Sequence, residues 1–170
     1  MAVAHGTLYA FLTLHLQEQG YSNALIGLLW TLGVLAEIVV FLYLPVLFRR
    51  YSLSAILMVS CVVAIVRFSA IGWGAQWLWL LVAAQLMHAA TFGAFHAAAV
   101  SAVHRVFPEH ARARGQTLFS SLAYGAGGAV GALLAGWAWE AAGPGAAFSV
   151  SAAAGLAGLL FAYPLKRAGF

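Results

Sequence analysis

The chain has 170 residues, 64% of them hydrophobic and only 7% charged: eight Lys and Arg against four acids, all glutamate. A water-facing surface typically carries about 25% charged residues, so a soluble enzyme, a disordered tail and a nucleic-acid binder are excluded, and a net charge of +4 does not reopen the last of these. The mean hydropathy is +0.94. At about 20 residues per bilayer crossing, the length accommodates at most six or seven helices. The single cysteine, Cys61, has no partner for an intrachain disulfide.

Apolar runs punctuated by charges, Gly and Pro predict six transmembrane helices and an all-α integral membrane fold. The first covers about residues 1–16 and ends at Gln17-Glu18-Gln19-Gly20. The second covers 23–48 and stops at Arg49-Arg50; the third covers 53–71 and closes at Gly72-Trp73-Gly74. The fourth takes 76–103, followed by His104-Arg105-Val106-Phe107-Pro108. The fifth takes 115–142, ended by Gly143-Pro144-Gly145, and the sixth takes 146–163, ahead of Lys166-Arg167. Barrel strands would be about ten residues long with alternating polarity, and these runs are long and continuously apolar.

Orientation follows from the basic residues. Arg49, Arg50, Arg105, Arg112, Arg114, Lys166 and Arg167 all fall on one side, while the opposite loops hold no Lys or Arg. By the positive-inside rule both termini are cytoplasmic, in a plasma (inner) membrane. Trp73, Trp77, Trp79, Trp137 and Trp139 cluster at the outer ends, as an interfacial aromatic belt does. The first helix is short and contains His5 and His15. It lacks the basic n-region and small-residue cleavage site of a signal peptide, so the chain is expected to begin partway through a helix of something longer.

Ionisable groups at bilayer depth cost about 2.5–3.5 kcal/mol on insertion scales and mark function by default. Glu37 on the second helix, Arg67 on the third and His88 on the fourth fall in a similar layer. At 100° per residue, Gln85, His88, Phe92, His96 and Ala99 share one stripe of the fourth helix, and Trp30, Gly33, Glu37 and Phe41 share a face of the second. These stripes suit the lining of a wet pathway. The bland alternative has Arg67 snorkelling to the outer interface and Glu37 neutral, bonded to a neighbouring helix. On the fifth helix, Gly127-x-x-x-Gly131 in a small-residue background predicts close helix packing. No motif supports catalysis: there is no Asp, no Cys-x-x-Cys, no His-Glu-x-x-His, no phosphate loop and no Gly-x-Ser-x-Gly. No enzyme, metal or cofactor is expected.

The segment Phe107-Pro108-Glu109-His110-Ala111-Arg112-Ala113-Arg114-Gly115-Gln116, leading into the Gly-rich fifth helix and Gly136-Trp137-Ala138-Trp139-Glu140-Ala141-Ala142-Gly143, resembles the major facilitator superfamily. The stretches Ser22 to Trp30, Ala36-Glu37 and His88 to Ala98 look like its phenylpropionate-permease branch, related to the lactose-permease type of proton symporters. The resemblance covers the whole chain and implies helices seven to twelve of a twelve-helix fold, with an N-terminal six-helix half missing. It further implies helices 1 and 4 lining the cavity, 2 and 5 flanking it, and 3 and 6 outward. The loop Leu47 to Ser52 keeps the superfamily's basic pair but lacks its Asp and Gly. Glu37, Arg67 and His88 look like the acid, arginine and histidine of lactose permease. The acid one turn beyond that histidine is Thr91 here, which moves the proton carrier to Glu37.

The expected function is secondary transport of a small organic solute, an aromatic acid or a sugar, coupled to protons by alternating access. Glu37, Arg67 and His88 would handle the proton, and Trp30, Gln85, Phe92 and His96 would line the solute path. The partners are solute, protons, the lipid bilayer and the missing half, with no nucleic acid. Two alternatives stay open: a membrane haem or redox protein using His88 and His96, although haem held between helices needs histidines facing each other on different helices, and a stand-alone six-helix unit working as a homodimer. An intramembrane hydrolase lacks a nucleophile–base pair.

Overall fold

The structure is a computed structural model describing residues 1–167, with side chains described through residue 163. The basic pair Lys166 and Arg167, expected on the cytoplasmic side, therefore lies outside the described side chains. All regular elements are helical: α1 (Ala2–Glu18), α2 (Asn23–Arg50), α3 (Leu53–Gly74), α4 (Leu78–Leu86), α5 (Phe95–Val106), α6 (Arg112–Ser120) and α7 (Gly128–Arg167). Two π-helical segments, Ala89–Ala94 and Ser121–Gly127, join α4 to α5 and α6 to α7 without ending the rod, and a 3₁₀ turn covers Glu109–Ala111.

Four segments are long and apolar enough to cross a membrane: Asn23–Arg50, Leu53–Gly74, Leu78–Val106 and Glu109–Tyr163. The sequence predicts six crossings, and the difference has two physical sources. At 17 residues and 1.5 Å per residue, α1 reaches about 26 Å, short of the roughly 30 Å hydrocarbon core. The fifth and sixth predicted helices run on as one 55-residue segment, interrupted at Gly143, whose φ of 82° and ψ of −174° are non-helical. A left-handed φ there favours glycine, and Pro144 follows with its fixed φ, suited to opening a new helix.

Local chemistry explains the other boundaries. The Ser22 and Ser52 hydroxyls accept from the backbone N–H of Leu25 and Ala55, at 3.3 and 3.2 Å, capping α2 and α3. α1 closes through Gly20, at φ 84°, with Tyr21 N–H bonded to the Leu16 carbonyl. α4 starts at Leu78 rather than at Gln76, because Trp77 is extended (φ −104°, ψ 105°). Helix resumes at Arg112, three residues earlier than the predicted start, because Glu109–Ala111 already turns.

The core follows from spacing on α1. Ala4, Leu8, Leu12 and Leu16 recur every fourth residue and pack with Ile26, Leu29, Phe68, Ile71, Leu81 and Phe148. A second cluster, Leu53, Ile56, Leu57, Ala94, Ala98, Ala99 and Ala162, fills the other end. α7 makes its most extensive contacts with α3 and α1. There the backbones approach closely: a Cβ on Gly131 would lie 2.8 Å from the Val3 Cα, and one on Gly6 would lie 2.8 Å from the Ala132 nitrogen. The two glycines are reciprocal, and the Ser151 hydroxyl ties the contact by donating to the Ala4 carbonyl at 2.9 Å. α3 buries twelve residues, including Arg67 and Phe68, while Val59, Val62 and Val66 are exposed. α2 buries only Ile26, Leu29 and Gly33 within this chain, and much of its remaining apolar surface is exposed.

Candidate functional site

Arg67 is fully buried on α3. Its Nε donates to the Ala84 carbonyl at 2.8 Å, Nη1 to Thr91 Oγ1 at 2.8 Å, and Nη2 to Gln85 Oε1 at 3.1 Å. A further Nη1 bond reaches His5 Nε2 on α1 at 3.3 Å. The outer-interface snorkelling alternative is therefore corrected: the guanidinium turns inward because four acceptors converge on it. No carboxylate among the described residues lies within ion-pair distance of Arg67. Ala84, Gln85 and Thr91 sit around the junction where α4 gives way to the π segment, a change of register typical of functional positions.

Glu37 faces a different partner. Its Oε2 lies 3.7 Å from His88 Nε2, a polar contact that becomes an ion pair only if the imidazole is protonated. This places Glu37 and His88 side by side; no bond joins Arg67 to either, but its partner His5 packs against the His88 ring. The ring contacts form a compact cluster. His5 lies 5.6 Å from both His88 and Phe92, centroid to centroid, and His88 stacks on Phe92 at 5.3 Å. Phe92 in turn stacks on His96 at 6.0 Å, so the stripe expected on the fourth helix is a column of rings. His96 Nδ1 meets the Tyr124 hydroxyl at 2.6 Å, linking the first turn of α5 to the middle of the second π segment.

Two cavities flank the cluster. One, of about 200 Å³, is lined by Tyr9, Trp30, Gly33, Val34, Glu37, Gln85 and His88. Trp30 is held there by stacking on Tyr9 at 6.0 Å and by donating its indole N–H to Thr13 Oγ1 at 3.3 Å. The other, of about 270 Å³, is lined by residues including His5, Thr91, Phe92, Phe119 and Tyr124. His88 lines the first and His5 and Phe92 line the second, and the three rings are in contact. Among the sequence-selected residues, Trp30, Glu37, Gln85 and His88 thus share the smaller cavity, Phe92 borders the larger, and His96 reaches it through Tyr124. Gly127 and Gly131 lie against Ala2 and Val3 of α1, where small residues allow close approach. Among the described residues, no group of three or more His, Cys or acidic side chains is arranged to hold a metal.

Sequence reasoning missed His5, Tyr9 and Tyr124. His5 and Tyr9 lie one turn apart on α1, a spacing that points both side chains to one face, but no amphipathic pattern distinguishes that face in so apolar a helix. His15, equally unplaced by the sequence, is buried at the far end of α1, with Nε2 donating to the Ile71 carbonyl at 3.1 Å.

Long apolar helices packed around buried Arg67, His5 and His88, with Glu37 and Phe92 partly buried beside them, define a multi-pass membrane protein. The chain belongs to the MFS_1 like family of the major facilitator superfamily, whose match covers residues 1–150. It is 34% identical over 143 residues to the "Probable 3-phenylpropionic acid transporter" of Escherichia coli (strain K12), covering 84% of this chain and 37% of that one. It is 27% identical over 117 residues to the "Uncharacterized transporter YwbF" of Bacillus subtilis (strain 168), covering 69% of this chain and 29% of that one. The matched region thus spans about a third of the length of these relatives. No solved structure gives a significant match. The family is one of transporters rather than enzymes.

Proposed function

We propose that this chain forms a six-helix half of a secondary transporter that carries a small organic solute, an aromatic acid or a sugar, in symport with protons. The observation that carries the reading is the Glu37 carboxylate beside His88, 3.7 Å apart, in a cavity shared with Trp30 and Gln85. Glu37 is the one acid placed deep in a predicted span, since Glu18, Glu109 and Glu140 stand at or near loops. A carboxylate between an imidazole and a solute cavity takes up a proton in one state and releases it in another, because the charged form is stabilised only while a polar partner faces it. Arg67 and His88 set that balance. Six crossings, both termini cytoplasmic and an inner-membrane location belong to the same proposal, supported by the seven-to-none distribution of basic residues.

The 37% coverage of the E. coli relative supports a partner bundle supplying the opposite wall of the pathway, since superfamily sites lie near the midplane between two halves. That relative's name supports an aromatic acid as the solute.

The test reconstitutes the chain with its partner half in vesicles under an imposed pH gradient. Wild-type protein is expected to accumulate solute uphill, and Glu37→Gln to lose accumulation while retaining exchange. Undiminished uphill uptake by Glu37→Gln removes the residue from the coupling mechanism. Robust accumulation by the 170-residue chain alone replaces the half-transporter reading with a homodimer.

A further inference from the structure

The end of α2 carries charge that the buried cluster does not use. Arg49 and Arg50 stand exposed in its last turn, and among the described residues neither lies within ion-pair distance of a carboxylate. No acid occurs in the sequence between Glu37 and Glu109, so neighbours along the chain do not compensate the pair. Within two residues the chain enters α3, whose N-terminus is capped by Ser52 and adds the positive end of a helix dipole.

Toward the middle of the span from that charge lie two adjoining cavities, separate from those beside the cluster. The larger, of about 390 Å³, is lined by Val40 and Leu47 of α2, Ala55 and Val59 of α3, and Ala90 and Ala94 of the first π segment. Val40 and Leu47 are two helical turns apart, so this cavity runs about 10 Å along α2. Tyr51 and Ser60 alone supply hydroxyls among its lining residues. The smaller cavity, of about 190 Å³, shares Val40, Leu47 and Tyr51 with it and adds Tyr43 and Arg50. Both are thus apolar along their length, and the charge and the exposed Tyr51 stand at one end. Hydrocarbon entering here leaves no polar group unpaired, whereas a polar solute inside would lack partners for its own groups.

We propose that the two cavities form a binding site for one anionic diacyl phospholipid. One acyl chain occupies the larger cavity, the other follows α2 through the smaller, and the phosphate accepts from Arg50 and the Tyr51 hydroxyl, with Arg49 adding charge. The apolar grooves alone take any lipid; the arginine pair selects an anionic one, as basic pockets between membrane helices do. The inference needs only the membrane fold, and neither proton coupling nor a partner half enters it.

The test counts lipid retained by the full chain in native mass spectrometry, after titration in micelles with dioleoyl phosphatidylglycerol against dioleoyl phosphatidylcholine. The wild-type chain is expected to retain one phosphatidylglycerol and to prefer it at least tenfold. Arg49→Gln with Arg50→Gln should cut that preference at least fivefold. Arg112→Gln with Arg114→Gln, equally exposed and equal in charge change, should leave it within twofold. Ala55→Phe puts a ring into the larger cavity and should weaken retention of either lipid at least fivefold, at unchanged helicity by circular dichroism. Excess sn-glycerol 3-phosphate should displace nothing, since the phosphate alone leaves both cavities empty. Equal retention of the two lipids, equal losses in the two arginine pairs, full retention in Ala55→Phe, displacement by glycerol phosphate, or a lipid-free dimer each overturns the assignment. The wild-type lipid series needs no variant to fold. Retention is read without transport, so its failure leaves the half-transporter proposal untouched, and failed transport leaves the lipid site untouched.

Discussion

Replacing Gly131 by Ala adds one methyl group where the structure has no room for it. The built Cβ would meet the Val3 backbone, 2.7 Å from its carbonyl carbon and 2.8 Å from its Cα. Backbone atoms have no rotamer to yield, so α1 must move away from α7, weakening the contact that Gly6 and Ser151 also serve. Overpacking of this kind costs about 1–3 kcal/mol, while Ala gains about 1 kcal/mol over Gly in helix propensity. Gly136→Ala, on the same helix, is the matched control: its Cβ meets only Phe11 Cζ, at 3.5 Å, an ordinary contact. The control should thus be neutral or stabilised, and Gly131→Ala should fall below it by about 1–3 kcal/mol. The assay is reversible denaturation in mixed micelles followed by far-UV circular dichroism. A Gly131→Ala protein as stable as Gly136→Ala would show that the α1–α7 approach is looser than described and refute the argument.

Cysteine-accessibility labelling is expected to place Gln19 and Gln76 outside and Tyr51 and His110 inside; Cys61 is buried and should label slowly, leaving a clean background. Signal from the wrong side at two of the four positions would refute the topology. Arg67→Lys retains charge but loses the fork that reaches Ala84, Thr91 and Gln85, so uphill uptake should drop at least tenfold. His104→Ala should change uptake less than twofold, since that side chain, near the end of α5, bonds Gln116 at 3.1 Å and lines neither cavity flanking the buried cluster. Tyr124→Phe removes the 2.6 Å bond to His96 and should raise the apparent KM for solute more than it lowers the maximal rate, measured as initial uptake across a concentration series.

The sequence by itself determined the class of the molecule, because hydropathy and charge distribution report directly on solvent. Long apolar runs with 7% charge admit only a lipid-facing helical protein, and the residues around Glu37, His88 and the Gly-rich helix carry the family likeness. Rotation by 100° per residue puts Gln85, His88, Phe92 and His96 on one face, but the His88–Phe92–His96 stack forms across the π-helical Ala89–Ala94, a register that the α-helical count does not contain. Which of these groups touch was decided by tertiary structure. Glu37 meets His88, whereas Arg67 meets Gln85, Thr91 and His5, because position along a helix axis does not encode rotation about it. His5 enters the site only through the close approach of α1 to its neighbours, which depends on packing between residues far apart in sequence. The run from Glu109 to Tyr163 likewise reads as two helices from composition, and only the backbone angle at Gly143 shows how one continuous segment is broken.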